Sequence, residues 1–201
     1  MTEVVHQATL SAQVTHTHPE AVAGAVAIAV ATAVAATEPD LPSGHFLDHI
    51  SEHVPASMVR DGIAEARQLL TISDPALAAQ MLGNGRQVTA HDTVPFTLWV
   101  AARQRHDYEA AVWTTAVAGG DVDTTCAIVG GIVAVAEGIH LPPQWRRRCE
   151  PLPDWAGAPQ RFPWRTDTIL TQPRHLPDVS GDLQLGRVRS AAQAAGRGNL
   201  I

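Results

Sequence analysis

Residues 21–36 read AVAGAVAIAVATAVAA and decide the fold class. Alanine has the highest helix propensity, and so long a run of small apolar residues is typical of a helix, since buried strands are usually shorter. Pro19 and Glu20 precede the run and suit the first turn of a helix, and Pro39 sets its end. Because the run is shorter than the roughly 20 residues of a membrane-spanning helix, we predict a buried core helix.

Helical signals continue to about residue 150. After a polar loop through Gly44, the predicted helices are 55–70, a segment starting at Ser73-Asp74-Pro75, 92–102, 107–118, 126–136 and 144–149. Asp92 and Asp107 can each cap the start of a helix with a side-chain oxygen. The segment 126–136 is apolar on all sides, which predicts a central position. Because alternating strand patterns are nearly absent, we predict an all-α fold.

The composition changes at about residue 152. Residues 1–152 carry the helical patterns and form the predicted helical domain. Residues 153–201 are rich in Pro, Gly, Arg and Asp without a sustained period, which predicts an extended or poorly ordered tail.

Charge and cysteine content exclude several classes of protein. The net charge of -6 and the absence of a Lys/Arg-rich face argue against nucleic-acid binding, and the basic run 146–148 is short. The two cysteines belong to no Cys-x-x-Cys pair, which argues against a disulfide framework or a zinc knuckle. The first residues lack the basic and apolar regions of a secretory signal. We therefore expect a cytoplasmic protein that binds neither nucleic acid nor membrane.

An acidic motif follows two glycines in the segment Gly119-Gly120-Asp121-Val122-Asp123-Thr124. Two carboxylates at this spacing would point to different sides of a helix, so both could face one ion only from a turn before the helix begins. The glycines permit such a turn. With the Thr124 hydroxyl they form an all-oxygen set that suits magnesium better than zinc. The alternative is that Asp121 or Asp123 only caps the helix, and spacing alone does not decide between the two.

Residues 94–145 read VPFTLWVAARQRHDYEAAVWTTAVAGGDVDTTCAIVGGIVAVAEGIHLPPQW. They resemble the C-terminal signature of the ADP-ribosylglycohydrolase family, in which a helical segment leads into Gly-Gly-Asp-x-Asp-Thr, a small-residue helix and an Ile/Leu-Pro-x-x-Trp close. Two further pieces fit in order, VTHTHPE at 14–20 and LGNG at 82–85. The resemblance thus covers about residues 10–155.

The resemblance implies a compact helical bundle and a magnesium-dependent hydrolase that cleaves the N- or O-glycosidic bond of ADP-ribosyl conjugates. Family residues that match Asp121, Asp123 and Thr124 bind a pair of magnesium ions, so these three are the expected metal ligands. His16, which matches a Thr-His step near the substrate cleft, and Asn84 are the expected substrate contacts. No residue is assigned as catalytic. The implied partner is an ADP-ribosylated protein or a small ADP-ribose conjugate.

Two of these residues have simpler alternatives. His16 and His18 could bind zinc together with Glu20. Alternatively, they could cap or pack at the start of a helix and have no role in binding. Asn84, between two glycines, could only make a turn. These alternatives stay open at the level of sequence.

The chain departs from the family in one respect. Full members begin with a helical section that carries Gly-Asp-x-x-Gly and a Thr/Ser-Asp-Asp triplet, and the closest string here is Thr166-Asp167-Thr168 in the tail. We therefore expect an N-terminally truncated bundle with an incomplete two-magnesium site, active only if the missing ligands come from a complementing N-terminal chain or from an upstream reading frame. The alternatives are an inactive remnant or ADP-ribose-binding module, and a purely structural helical protein.

Overall fold

The Ala-rich run lies in the core of the protein, as its sequence predicts. A computed structural model describes residues 1–150, and the tail predicted for 153–201 lies outside this range. Helix α2 (Pro19–Thr37) buries eight of its residues, among them Ala23, Val30 and Ala35. By length and composition α2 could cross a membrane, but here it packs against five other helices.

The described residues form helices and connecting loops and contain no strand. The other helices are α1 (Thr2–Gln13), α3 (Ser43–His53), α4 (Met58–Gln68), α5 (Pro75–Leu82), α6 (Ala90–Gln104), α7 (Tyr108–Val117), α8 (Val122–Val133) and α9 (Pro143–Arg148), with a 3-10 turn at Leu69–Thr71. The predicted all-α fold class is therefore confirmed.

Helix α6 is the most deeply buried element. All eleven residues from Asp92 to Ala102 are buried. The indole of Trp99 is fully buried and donates from Nε1 to the carbonyl oxygen of Leu69 at 2.9 Å. Gly62 of α4 lets α6 approach closely, because a Cβ at position 62 would lie 2.4 Å from Cγ of Pro95.

The predicted central position of the segment 126–136 was wrong. Helix α8 packs against α2, α6 and α7, but Ala127, Gly131, Ala134 and Val135 of this segment are exposed. The apolar character of this helix comes partly from alanine and glycine. Exposing these residues to water costs little free energy because they carry little apolar area. An all-round apolar pattern of small residues therefore does not by itself indicate complete burial.

Helix starts agree with the sequence in part. Asp74 and Asp107 cap α5 and α7 by accepting from the amides of Ala76 and Ala110, each at 2.9 Å. Asp92 does not cap α6, because that helix already begins at Ala90 and Asp92 lies within its first turn.

Two predicted boundaries were also displaced. The polar loop does not extend through Gly44, because α3 begins at Ser43, directly after Pro42. The helix predicted from residue 55 begins at Met58, because the Ser57 hydroxyl accepts from the amide of Arg60 and so caps it there. Helix α1 was not predicted.

Candidate functional site

A cleft of about 680 Å³ lies between α1, α2 and the N-terminal ends of α6 and α8. Its polar lining includes His16, Asp121 and Thr124, three of the five residues that the sequence predicts for the site. The remaining lining is mostly small and apolar, and comprises Ala8, Ser11, Ala12, Thr15, Ala21, Gly24, Ala25, Ile28, Ala29, Val88, Thr89, Ala90, Thr93, Val94 and Ile128. Residues far apart in the chain thus meet in one concave surface.

The loop 83–89 connects α5 to α6 and forms part of the cleft. Gly83 and Gly85 have positive φ values of 86° and 87°, as the Leu-Gly-Asn-Gly break predicts. A Cβ on Gly85 would lie 2.6 Å from Cβ of Asp121, so only glycine allows the loop to reach the start of α8. Val88 also has a positive φ, 54°, and its side chain is 86% exposed beside the cleft.

Asp121 is held at the start of α8 from both sides. Its amide donates to the carbonyl oxygen of Asn84 at 2.9 Å, and its carboxylate accepts from the amide of Thr124 at 3.4 Å as the helix cap. Hydrogen bonding to the Thr124 side chain is the largest cause that holds the pKa of the Asp121 carboxyl below its usual value, and hydrogen bonding to the Asp123 side chain is the second. Asp121 therefore caps α8 and also presents a carboxylate to the cleft.

Asp123 and Thr124 complete a set of hard oxygen donors around the start of α8. Asp121 lies outside the helix with φ -84° and ψ 75°, which allows its carboxyl to interact with that of Asp123, two residues further on. Asp123 itself is exposed and does not line the cleft. Within residues 1–150 no group of three or more His, Cys, Asp or Glu side chains is arranged to hold a metal ion. The set does not surround a cation on all sides. It fits a cation that keeps several water or substrate ligands, as magnesium does.

The histidines and Glu20 near the end of α1 have different partners. His16 is exposed, lines the cleft and pairs through Nδ1 with the Thr15 hydroxyl at 2.8 Å. His18 is the N-cap of α2, and its Nδ1 accepts from the amide of Glu20. The Glu20 carboxylate accepts from the amides of Met58 and Val59 at the start of α4. His18 and Glu20 thus serve as helix caps, and His16 alone of the three lines the cleft.

Asn84 lies behind the cleft surface. Its side chain donates from Nδ2 to the carbonyl oxygen of Ala118 at 3.3 Å, and it is absent from the cleft lining. Gly120 packs so closely that a Cβ there would lie 2.2 Å from the Asn84 carbonyl oxygen. In this arrangement Asn84 ties the 83–89 loop to the turn before α8, and its contact with substrate stays a prediction.

Sequence reasoning missed the part played by Asp92. This residue is buried, 7% exposed, and accepts through Oδ2 from the amide of Gln87 at 2.7 Å. Its carbonyl oxygen accepts from the amide of Gly85 at 2.8 Å. The only signal in the sequence is an aspartate shortly after a glycine-rich loop, and this pattern equally fits a helix cap.

Comparison with known proteins agrees with the resemblance noted in the sequence. The family described as ADP-ribosylglycohydrolase matches residues 1–176, most of the chain. A protein of Archaeoglobus fulgidus, named only "uncharacterized protein", is 32% identical over 144 residues, which are 71% of this chain and 45% of that protein. The chain thus spans less than half the length of this relative. No solved structure shows a significant match.

Proposed function

The chain belongs to the ADP-ribosylglycohydrolase family, and from this premise we propose that it takes part in magnesium-dependent hydrolysis of the glycosidic bond in ADP-ribosyl conjugates. The observation that carries the proposal is that Asp121, Thr124 and His16 line one cleft. The all-helical architecture is that of the family. The family is generally metal-dependent, and magnesium in particular is our proposal.

The donor set supports magnesium in preference to a softer metal. Carboxylate and hydroxyl oxygens are hard ligands, and magnesium is commonly bound by one or two carboxylates together with water and substrate phosphates. Asp121, Asp123 and Thr124 would hold the ion at the start of α8. When bound, it would polarise the ribose hydroxyls and lower the pKa of a bound water.

The shape and polarity of the cleft support a nucleotide-like ligand. A volume of about 680 Å³ lies within the usual range for small-molecule sites. Thr89 is the N-cap of α6 and makes no side-chain cap hydrogen bond, so the uncapped N-terminal end of α6 lies at the cleft. Helix N-terminal ends favour phosphate groups through free amides and the helix dipole. No lysine or arginine of residues 1–150 lines the cleft, so the N-terminal end of α6 and the cation are the proposed partners of the diphosphate.

The reaction itself requires stabilisation of positive charge on the sugar. Glycosidic bonds break through a transition state with oxocarbenium character, which a nearby carboxylate stabilises. Asp121 presents a carboxylate to the cleft, and hydrogen bonding to Thr124 holds the pKa of that carboxyl below its usual value. His16 is exposed at the same cleft and would contact the substrate.

Release of free ADP-ribose from N-linked and O-linked ADP-ribosyl peptides tests the proposal. Once a complementing N-terminal chain supplies the further ligands, we expect turnover to require magnesium and to be abolished by a chelator. Asp121→Asn keeps a side chain that caps helices well but removes the charge, so it should fold normally and lose turnover. Turnover that persists in Asp121→Asn, or without a divalent cation, would contradict the proposal.

A second candidate function is binding of ADP-ribose without turnover. It is favoured by the small donor set, because two carboxylates and one hydroxyl are few protein ligands for a two-metal site. A complementing N-terminal chain, as expected from the sequence, would supply further ligands. Binding of ADP-ribose without release of product from any conjugate would favour this candidate over the hydrolase.

A further inference from the structure

Asp92 is a buried carboxylate that faces the 83–89 loop. It is 7% exposed, and none of the ion pairs within residues 1–150 includes it. Burial of a charge is costly unless hydrogen bonds and nearby dipoles compensate. Here the compensation comes from the Gln87 amide at 2.7 Å and from the N-terminal end of α6, in whose first turn Asp92 lies.

Both the side chain and the main chain of Asp92 fix the loop. Oδ2 accepts from Gln87 and the carbonyl oxygen accepts from Gly85, so two amides of the loop are bound by one residue. Gly83 packs against the same residue, because a Cβ at position 83 would lie 2.3 Å from the Asp92 carbonyl oxygen and 2.5 Å from Oδ1. Asp92 therefore determines where the residues between Gly83 and Gln87 lie.

The loop in turn positions Asp121. Asn84 lies between the fixed glycines, and its carbonyl oxygen accepts the Asp121 amide at 2.9 Å. Gly85 touches the Cβ of Asp121, since a Cβ on this glycine would lie at 2.6 Å. A shift of the loop would thus move the residue whose carboxylate faces the cleft.

We propose that Asp92 is a positioning residue for the cleft. It holds the Asp121 carboxylate in place through the 83–89 loop and the Asn84 carbonyl oxygen. Its consequence for ligand binding rests on the proposed function. The hydrogen-bond path itself is a property of the ligand-free chain and is measured without ligand. Asp92 touches neither substrate nor metal in this proposal.

The test compares Asp92→Ala with the conservative Asp92→Asn. Amide hydrogen exchange of Asp121 in the metal-free chain reports its bond to Asn84. Loss of one hydrogen bond of ordinary strength corresponds to about tenfold faster exchange, which we expect for Asp92→Ala. Asp92→Asn keeps an acceptor for the Gln87 amide, so its exchange should stay within about threefold of the natural protein. Magnesium affinity in the presence of ADP-ribose should follow the same order.

Asp107→Ala is the matched control. It removes an aspartate that accepts one backbone amide at 2.9 Å, but at the end of α7 remote from Asp121. We expect a similar loss of thermal stability with unchanged Asp121 exchange and unchanged magnesium affinity. If Asp92→Ala does not fold, Asp92→Ser takes its place. The serine side chain is too short for its hydroxyl to reach the Gln87 amide.

Each result decides a separate point. Unchanged Asp121 exchange in Asp92→Ala would overturn the hydrogen-bond path. Faster exchange with unchanged magnesium affinity would overturn the positioning role, as would an equal loss of affinity in Asp107→Ala. Absence of magnesium binding by the natural chain would contradict the proposed function, and the exchange measurement alone would then decide the part played by Asp92.

Discussion

Substitution of Gly120 by alanine should disrupt the contact between the 83–89 loop and α8. Gly119 and Gly120 both have positive φ values, 68° and 84°. They differ in their surroundings, because a Cβ on Gly119 would meet nothing within 4 Å, whereas one on Gly120 would lie 2.2 Å from the Asn84 carbonyl oxygen. Gly119→Ala is therefore a matched control for the backbone strain alone.

The expected loss of stability has three contributions, of which both variants share the first. A left-handed conformation costs a non-glycine residue about 1–2 kcal/mol, and this applies to both variants. At Gly120 the new methyl group also meets the carbonyl oxygen and the side-chain Cγ and Oδ1 of Asn84, an overpacking worth about 1–3 kcal/mol. Displacement of the Asn84 carbonyl would weaken its bond from the Asp121 amide, worth about 1 kcal/mol. Gly120→Ala should thus be less stable than Gly119→Ala by about 2–4 kcal/mol.

Urea unfolding followed by far-UV circular dichroism measures the difference. Both variants should unfold with an unchanged slope, and only Gly120→Ala should show a large fall in the midpoint. The common gain from reduced freedom of the unfolded chain cancels in the comparison. Equal midpoints for the two variants would refute the close contact between Gly120 and Asn84.

Three further substitutions test other parts of the structure by the same unfolding measurement. Glu20→Ala should lose about 1 kcal/mol because its carboxylate caps α4, whereas Glu20→Gln should lose less; equal losses would argue against the cap. Val88→Asn should gain about 1 kcal/mol, since asparagine tolerates a positive φ and the valine is exposed; a loss would contradict the strained loop. Trp99→Phe should lose about 2 kcal/mol because it leaves the Leu69 carbonyl without its partner, and a neutral effect would contradict that bond.

The sequence predicted the fold class and most of the helices. Alanine and valine runs, prolines at helix starts and capping aspartates such as Asp74 and Asp107 act locally, so their effect is readable from neighbouring residues. Burial depends on tertiary contacts, which is why the sequence placed α8 at the centre and the structure buries α6 instead.

The sequence predicted residues that line the cleft, but not the buried residue behind them. Asp121 and Thr124 follow a glycine turn that is visible in the sequence, and the structure brings them to one cleft with His16. Asp92 could not be recognised, because its role depends on bonds to Gly85 and Gln87 that form only when the loop folds back on α6. The same pattern of residues fits a simple helix cap.

Titration calorimetry of the chain with magnesium, with and without ADP-ribose, tests the proposed magnesium site most directly. Asp121→Asn provides the comparison, because asparagine also caps helices well and the substitution leaves the shape of the side chain unchanged. We expect magnesium binding that is strengthened by ADP-ribose and lost in Asp121→Asn. Absence of binding, or binding of equal strength in Asp121→Asn, would contradict a magnesium site at the start of α8.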